Sequence, residues 1–259
     1  TGLAVEPALR AARDQGRKLL VPYVTGGFQD DWASLLEAMA AAGADAVEVG
    51  LPFSDPMMDG PTIQEASMRA LERGTNPTSV LAALRHLDIP VPLVVMTYAN
   101  LVLRAGTRRF ASELVAAGVR GAIVPDLPLE ESAEWEREAA AAGVGTILLA
   151  APVTPDERLA RICERSHGFV YGVNLMGVTG ERGSLAASSA VLAKRLKAVT
   201  DKPVVMGLGI STPDQAVAAA EHADGVVVGS ALMRAAIDGA SAEEVGSRVA
   251  AIRAALDRG

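Results

Sequence analysis

Eight short aliphatic runs, each followed by an Ala-rich stretch of helical length, recur along this chain, and that alternation constrains its fold more than any other feature. The runs are Leu19 to Thr25, Ala46 to Val49, Leu93 to Tyr98, Gly121 to Val124, Thr146 to Ala150, Phe169 to Val173, Val204 to Gly207 and Gly225 to Val228. Their β-branched and aliphatic residues suit strands. Between them, apolar residues at helical spacing predict helices over Asp31 to Ala42, Thr62 to Arg73, Thr78 to Leu87, Thr107 to Ala117, Glu130 to Ala142, Pro155 to Ser166, Ser188 to Thr200, Pro213 to Glu221 and Ala242 to Leu256. Strands this continuously apolar are buried on both faces, and strict strand–helix alternation demands parallel pairing through right-handed crossovers. Eight such units fit a closed (β/α)8 barrel, a TIM barrel with extra helices. An open dinucleotide-binding sheet usually has six strands and a G-x-G-x-x-G after the first, which this chain lacks. No linker rich in Ser, Pro or charge divides the pattern, so residues 1–259 read as one α/β domain. The recurrent Ala-Ala-Gly at Gly43, Gly118 and Gly143 marks helix ends, where glycine supplies the left-handed conformation that stops a helix.

Composition narrows the function. With 24 Lys+Arg against 31 Asp+Glu, the net charge of −7 excludes a nucleic-acid binder working through a broad basic surface. Half the residues are apolar and 21% are charged, the composition of a globular domain. One cysteine, Cys163, can neither close an intrachain disulfide nor build a multi-Cys zinc site, and a cytoplasmic home is expected. Thr1 to Asp14 lacks a basic segment followed by an apolar run, so no signal peptide is expected. The apolar stretch Ala139 to Val153 is broken by Gly143, Gly145 and Pro152 and is shorter than the roughly 20 residues a membrane span needs.

In a barrel of this kind, reacting groups sit at the carboxyl ends of the strands. Glu48 lies between Val47 and Val49 in the second run, so it must face the opposite side from both, either inside the barrel or beneath the helices. No cation is close in sequence, and burying an unpaired carboxylate raises its pKa into the range useful for giving and taking protons. Asp55 and Asp59 follow in a long Pro- and Gly-rich loop, and Asp126 follows the fourth run; each could equally be a turn residue bonding its own backbone. After the seventh and eighth runs come Gly207-Leu208-Gly209 and Gly229-Ser230, glycine turns at the two places where barrels commonly bind phosphate through backbone N–H groups. Val178 to Gly183, after the sixth run, could close over the same site. The histidines His86, His167 and His222 fall in helical or helix-end segments away from these loops, which argues against a His base or a metal cluster. Cys163 reads as a packed or partly exposed residue within a helix.

The segment Val47-Glu48-Val49-Gly50-Leu51-Pro52-Phe53-Ser54-Asp55-Pro56-Met57-Met58-Asp59-Gly60-Pro61-Thr62-Ile63-Gln64 resembles the long signature of the tryptophan synthase α-subunit family. Further matches are Pro22-Tyr23-Val24-Thr25, Tyr98-Ala99-Asn100-Leu101, Pro125-Asp126-Leu127-Pro128, Gly177-Val178-Thr179-Gly180, Gly207-Leu208-Gly209-Ile210-Ser211 and Gly229-Ser230, so the likeness runs through the whole chain. The resemblance implies cleavage of indole-3-glycerol phosphate to indole and glyceraldehyde 3-phosphate. It implies no cofactor in this chain, and a β-subunit partner in an α2β2 assembly that uses pyridoxal phosphate. It casts Glu48 as general acid/base, Asp59 as the anion opposing charge on the indole nitrogen, and Tyr171 as the active-site tyrosine. Tyr23, Tyr98 and Leu127 would line the indole pocket or its entrance, while Thr179, Gly180, Gly209, Gly229 and Ser230 would bind substrate, chiefly its phosphate. Met58 stands where the family usually has a small residue, Gly26 to Gln29 lacks a usual proline, and Asn174-Leu175 replaces a common Ser-Arg pair. A free-standing lyase, a subunit that binds without catalysing and a phosphosugar isomerase are the rival readings; the last lacks a His beside the carboxylates.

Overall fold

The computed structural model describes residues 2–173, 182–207 and 209–259. Its strands are β1 (Leu19–Thr25), β2 (Val47–Gly50), β3 (Leu93–Met96), β4 (Val119–Ile123), β5 (Gly145–Ala150), β6 (Val170–Val173), β7 (Val204–Gly207) and β8 (Gly225–Val228). Each pairs in parallel with the next, and β1 pairs with β8 from Leu19↔Gly225 to Pro22↔Val228, which closes the TIM barrel expected above. Around it run α1 (Val5–Asp14), α2 (Trp32–Ala41), α3 (Pro61–Glu72), α4 (Pro77–Leu84), α5 (Ala99–Ala105), α6 (Thr107–Ala116), α7 (Ala133–Ala142), α8 (Asp156–Arg165), α9 (Arg182–Val199), α10 (Pro213–Ala220), α11 (Ser230–Ile237) and α12 (Ala242–Leu256). Gly43, Gly118 and Gly143 have φ of 96°, 79° and 82°, so the Ala-Ala-Gly repeats do end helices in the left-handed region.

Period-2 alternation sorts the strand residues into two layers. Leu19, Val21, Val94, Ile147, Val205 and Val227 point into the lumen, where they form one cluster with Val5 and Leu9 of α1. Their neighbours Leu20, Val24, Val47, Val49 and Val95 pack outward against the helices. The helix α1 lies across the amino-terminal end of the barrel: a Cβ on Gly121 would sit 3.0 Å from Val5 Cγ2. Aspartates pin this end too. Asp45 accepts the Leu20 N–H at 2.8 Å and the Arg17 guanidinium at 2.6 Å, and Asp224 accepts the Val204 N–H at 2.8 Å beside Lys197. The amino-terminal end is thus filled and cross-braced, leaving the carboxyl ends of the strands to carry chemistry.

Three helices lie outside the segments read as helical from sequence: α1, α5 and α11. Several expected boundaries also move: α9 starts at Arg182 rather than Ser188, and α4 ends at Leu84 rather than Leu87. The β3 strand stops at Met96, with Tyr98 capping α5, and α7 starts at Ala133 because residues 129–132 form a turn held by Arg165, which donates to the Leu129 carbonyl and the Ser132 hydroxyl at 2.9 Å.

Candidate active site

The geometry of β2 decides the orientation of Glu48. Val47 and Val49 belong to the outer cluster, so Glu48 points into the lumen, with Tyr23 of β1 and Val94 of β3 as its register neighbours. It is 1% exposed, and its Oε2 has no hydrogen-bond partner among the described residues. Burial, assisted by the nearby charge of Asp59, pushes its carboxyl up to about 8. At neutral pH it therefore carries a proton, unlike an ordinary glutamate.

Of the three ambiguous aspartates, only Asp59 joins Glu48. The Tyr98 hydroxyl donates to Asp59 Oδ2 at 2.9 Å and accepts the Met58 N–H at 3.1 Å, while the Tyr98 ring stacks on Phe53 at 4.9 Å. Burial raises Asp59 to about 6, against the opposing effect of the Tyr98 hydrogen bond. Asp55 is exposed and accepts from the Ser54 hydroxyl at 2.6 Å, a side-chain contact that does not involve Glu48. Asp126 accepts the Ala99 N–H at 2.8 Å and so secures the start of α5.

Two tyrosines complete the floor of the site. The hydroxyl of Tyr23 lies 3.1 Å from Thr25 Oγ1, and burial together with the Asp59 charge holds it well above the ordinary phenol range. Tyr171 is raised in the same way, by burial and by the charges of Glu48 and Asp59. Each ring needs a glycine opposite. A Cβ on Gly50 would lie 1.9 Å from the Tyr23 hydroxyl oxygen, and one on Gly207 would lie 2.6 Å from Tyr171 Cε2.

From Met58 outward, Val124, Leu127, Ile147, Leu149 and Val173 line a cavity of about 290 Å³ that Asp126, Thr154 and Arg158 also border. Gly229 precedes α11, whose first residue is Ser230, so the end of β8 feeds directly into a helix N-terminus suited to an anion. Gly209 has a φ of 65°, with open space around the position of a Cβ. Thr179, Gly180, Asn174 and Leu175 lie outside the described residues. Among the described residues, no group of three or more His, Cys, Asp or Glu could hold a metal ion.

Residues 9–256 match the family model described as Tryptophan synthase alpha chain. The chain belongs to that family. A tryptophan synthase α chain from Thermobifida fusca is 46% identical over 236 residues, covering 89% of this chain and 87% of its own length. One from Streptomyces avermitilis is 43% identical over 257 residues, covering 98% and 92%. Among solved structures, tryptophan synthase from Mycobacterium tuberculosis in space group F222 superposes with a TM-score of 0.90 at 39% identity, covering 99% of both chains.

Reading the sequence missed the spatial roles of Gly50 and Gly207. The available signal was a glycine at an inward-facing strand position one strand away from an inward-facing tyrosine, which indicates room made for a ring. The bond from Tyr98 to Asp59 spans 39 residues and left no local signal.

Proposed function

We propose that Glu48 and Asp59 perform the retro-aldol cleavage of indole-3-glycerol phosphate to indole and glyceraldehyde 3-phosphate. The observation that carries this reading is the buried carboxyl of Glu48, whose Oε2 has no partner among the described residues, together with an Asp59 held by a hydroxyl donor. Indole is a poor leaving group until C3 is protonated. Protonated Glu48 gives its proton to C3, and the resulting cation, delocalised onto the ring nitrogen, is opposed by the Asp59 carboxylate. The Glu48 carboxylate then takes the proton of the side-chain hydroxyl next to C3. As the carbon–carbon bond breaks, its electron pair returns to the ring, releasing neutral indole and the aldehyde, with Glu48 protonated again.

Different surroundings give the two carboxyls their different duties, with Glu48 raised to about 8 and Asp59 to about 6. Tyr171 and Tyr23 bound the reacting end; Tyr98 and Leu127 flank the ring. Thr179, Gly180, Gly209, Gly229 and Ser230 take the substrate's glycerol phosphate end, in support of which Gly229 and Ser230 open α11.

Indole passes to a β subunit in an α2β2 complex. Pyridoxal phosphate belongs to that partner and none to this chain. Exposed Met57, Met58, Leu103 and Val153, on segments following β2, β3 and β5, support an apolar docking face around the barrel mouth. A cytoplasmic setting fits the single free Cys163, and no helix among the described residues is long and apolar enough to cross a membrane. The pairing of β1 with β8 supports treating 1–259 as one domain.

The test is indole release from indole-3-glycerol phosphate by the purified chain, alone and with excess β subunit. Slow release that accelerates on mixing is expected, and Glu48→Gln should abolish it in both conditions. Activity within about tenfold of wild type in that variant, roughly 1.4 kcal/mol of barrier, would remove Glu48 from the mechanism. Fast release by the chain alone would identify a free-standing lyase instead.

A further inference from the structure

Tyr98 grips the loop carrying Asp59 at three points. Its ring stacks on Phe53 with 24° between the planes, its oxygen accepts the Met58 N–H, and its proton goes to the Asp59 carboxylate. The residue is 3% exposed and stands between β3 and α5, whose first N–H is itself held by Asp126. It is therefore a fixed post against which a long loop is registered. A role as pocket wall explains none of this polarity, since a phenylalanine ring would fill the same space.

Among the described residues, every titratable group raised by the charge of Asp59 is itself an acid. Glu48 comes from β2, Tyr23 from β1 and Tyr171 from β6, and Asp126 acts on Tyr98 from the segment after β4. Two carboxyls in one such site share their protons as a pair, and the negative charge settles on the one that has a donor. Asp59 has the Tyr98 hydroxyl; Glu48 has an unpartnered Oε2.

We infer that Tyr98 is a positioning residue for the cleavage, its hydroxyl orienting Asp59 and favouring the charged form of that carboxyl. This rests on the roles given to Glu48 and Asp59 above. The direction of the shifts agrees: the hydrogen bond from Tyr98 pulls Asp59 down, and Glu48 has no such restraint.

Tyr98→Phe keeps the stack on Phe53 and removes only the hydroxyl. The acid limb of the kcat/KM profile, set by ionisation of Asp59, should move up by about 1 on the pH scale, so that kcat/KM below the limb falls about tenfold. Phe53→Leu loosens the same loop while leaving the hydroxyl, and its limb should stay in place. A ¹³C titration of aspartate-labelled full-length chain, with Asp59→Asn supplying the assignment, reads the same upward shift without turnover. A limb and carbon titration unmoved in Tyr98→Phe overturn the inference, as does an equal movement in Phe53→Leu. Indole release persisting in Asp59→Asn would instead sink the catalytic reading, and the carbon titration would still decide the part played by Tyr98.

Discussion

Asp45 and Glu48 sit three residues apart, yet their surroundings give them opposite properties. Asp45, at the amino-terminal end of β2, accepts a backbone N–H and an arginine, and it serves as a structural clip. Glu48, facing the lumen, has an orphaned oxygen, and this has a thermodynamic signature. A carboxyl raised from an ordinary 4.5 to about 8 binds a proton on folding between those two values. Its stabilising contribution is full below about pH 4.5 and declines by about 1.4 kcal/mol per pH unit until it is lost above about pH 8. Glu48→Gln is neutral throughout and escapes that loss. It should match wild type at pH 4.5 and exceed it by about 5 kcal/mol at pH 9, as read from denaturant unfolding at both values. Equal stability at pH 9 would mean that the folded protein does not hold Glu48 protonated. That Glu48 faces away from Val47 and Val49 was legible, because alternation needs only its two neighbours; that this side is the lumen rather than the space beneath the helices was not, because it depends on how the closed barrel packs. The choice of Asp59 over Asp55 and Asp126 was not legible from spacing, because it turns on partners far along the chain, Tyr98 for the first and the Ala99 N–H for the last.

At the scale of elements, the join between β8 and α11 can be attacked directly. Gly229 has a φ of −118°, and a Cβ there would lie 3.4 Å from Tyr23 Cβ, an ordinary contact. Gly229→Asp should therefore fold, while setting a full negative charge at a helix end that otherwise favours an anion. Affinity for a glycerol phosphate analogue should fall at least about tenfold, or about 1.4 kcal/mol, in a calorimetric titration, whereas Gly229→Ala should bind nearly as wild type. Unchanged affinity in the aspartate variant would place the phosphate elsewhere. All eight strands were legible because runs such as Leu93 to Met96 and Val204 to Gly207 are apolar on both faces. The helices α1, α5 and α11 were not, each for a local reason. Pro7 interrupts the first turn of α1, which buries only Val5 and Leu9; α5 has seven residues between Tyr98 and Gly106; α11 follows its strand with no side-chain cap at Gly229.

Across the whole molecule, the two ends of the barrel divide stability from chemistry. Leu9 is fully buried against the lumen cluster at the amino-terminal end, remote in the fold from the loops that carry Asp59 and Ser230. Leu9→Ala should cost about 2–5 kcal/mol in unfolding free energy while leaving kcat for indole release within about twofold of wild type. A comparable loss of kcat in the folded variant would show that the two ends are coupled. The position of α1 has a consequence for traffic as well. A barrel stoppered at one end is a cup rather than a tube, so indole must depart through the same opening by which its parent compound arrived. A partner seated on that rim governs both journeys at once, and the order of arrival, docking and departure becomes a property of the assembly rather than of this chain.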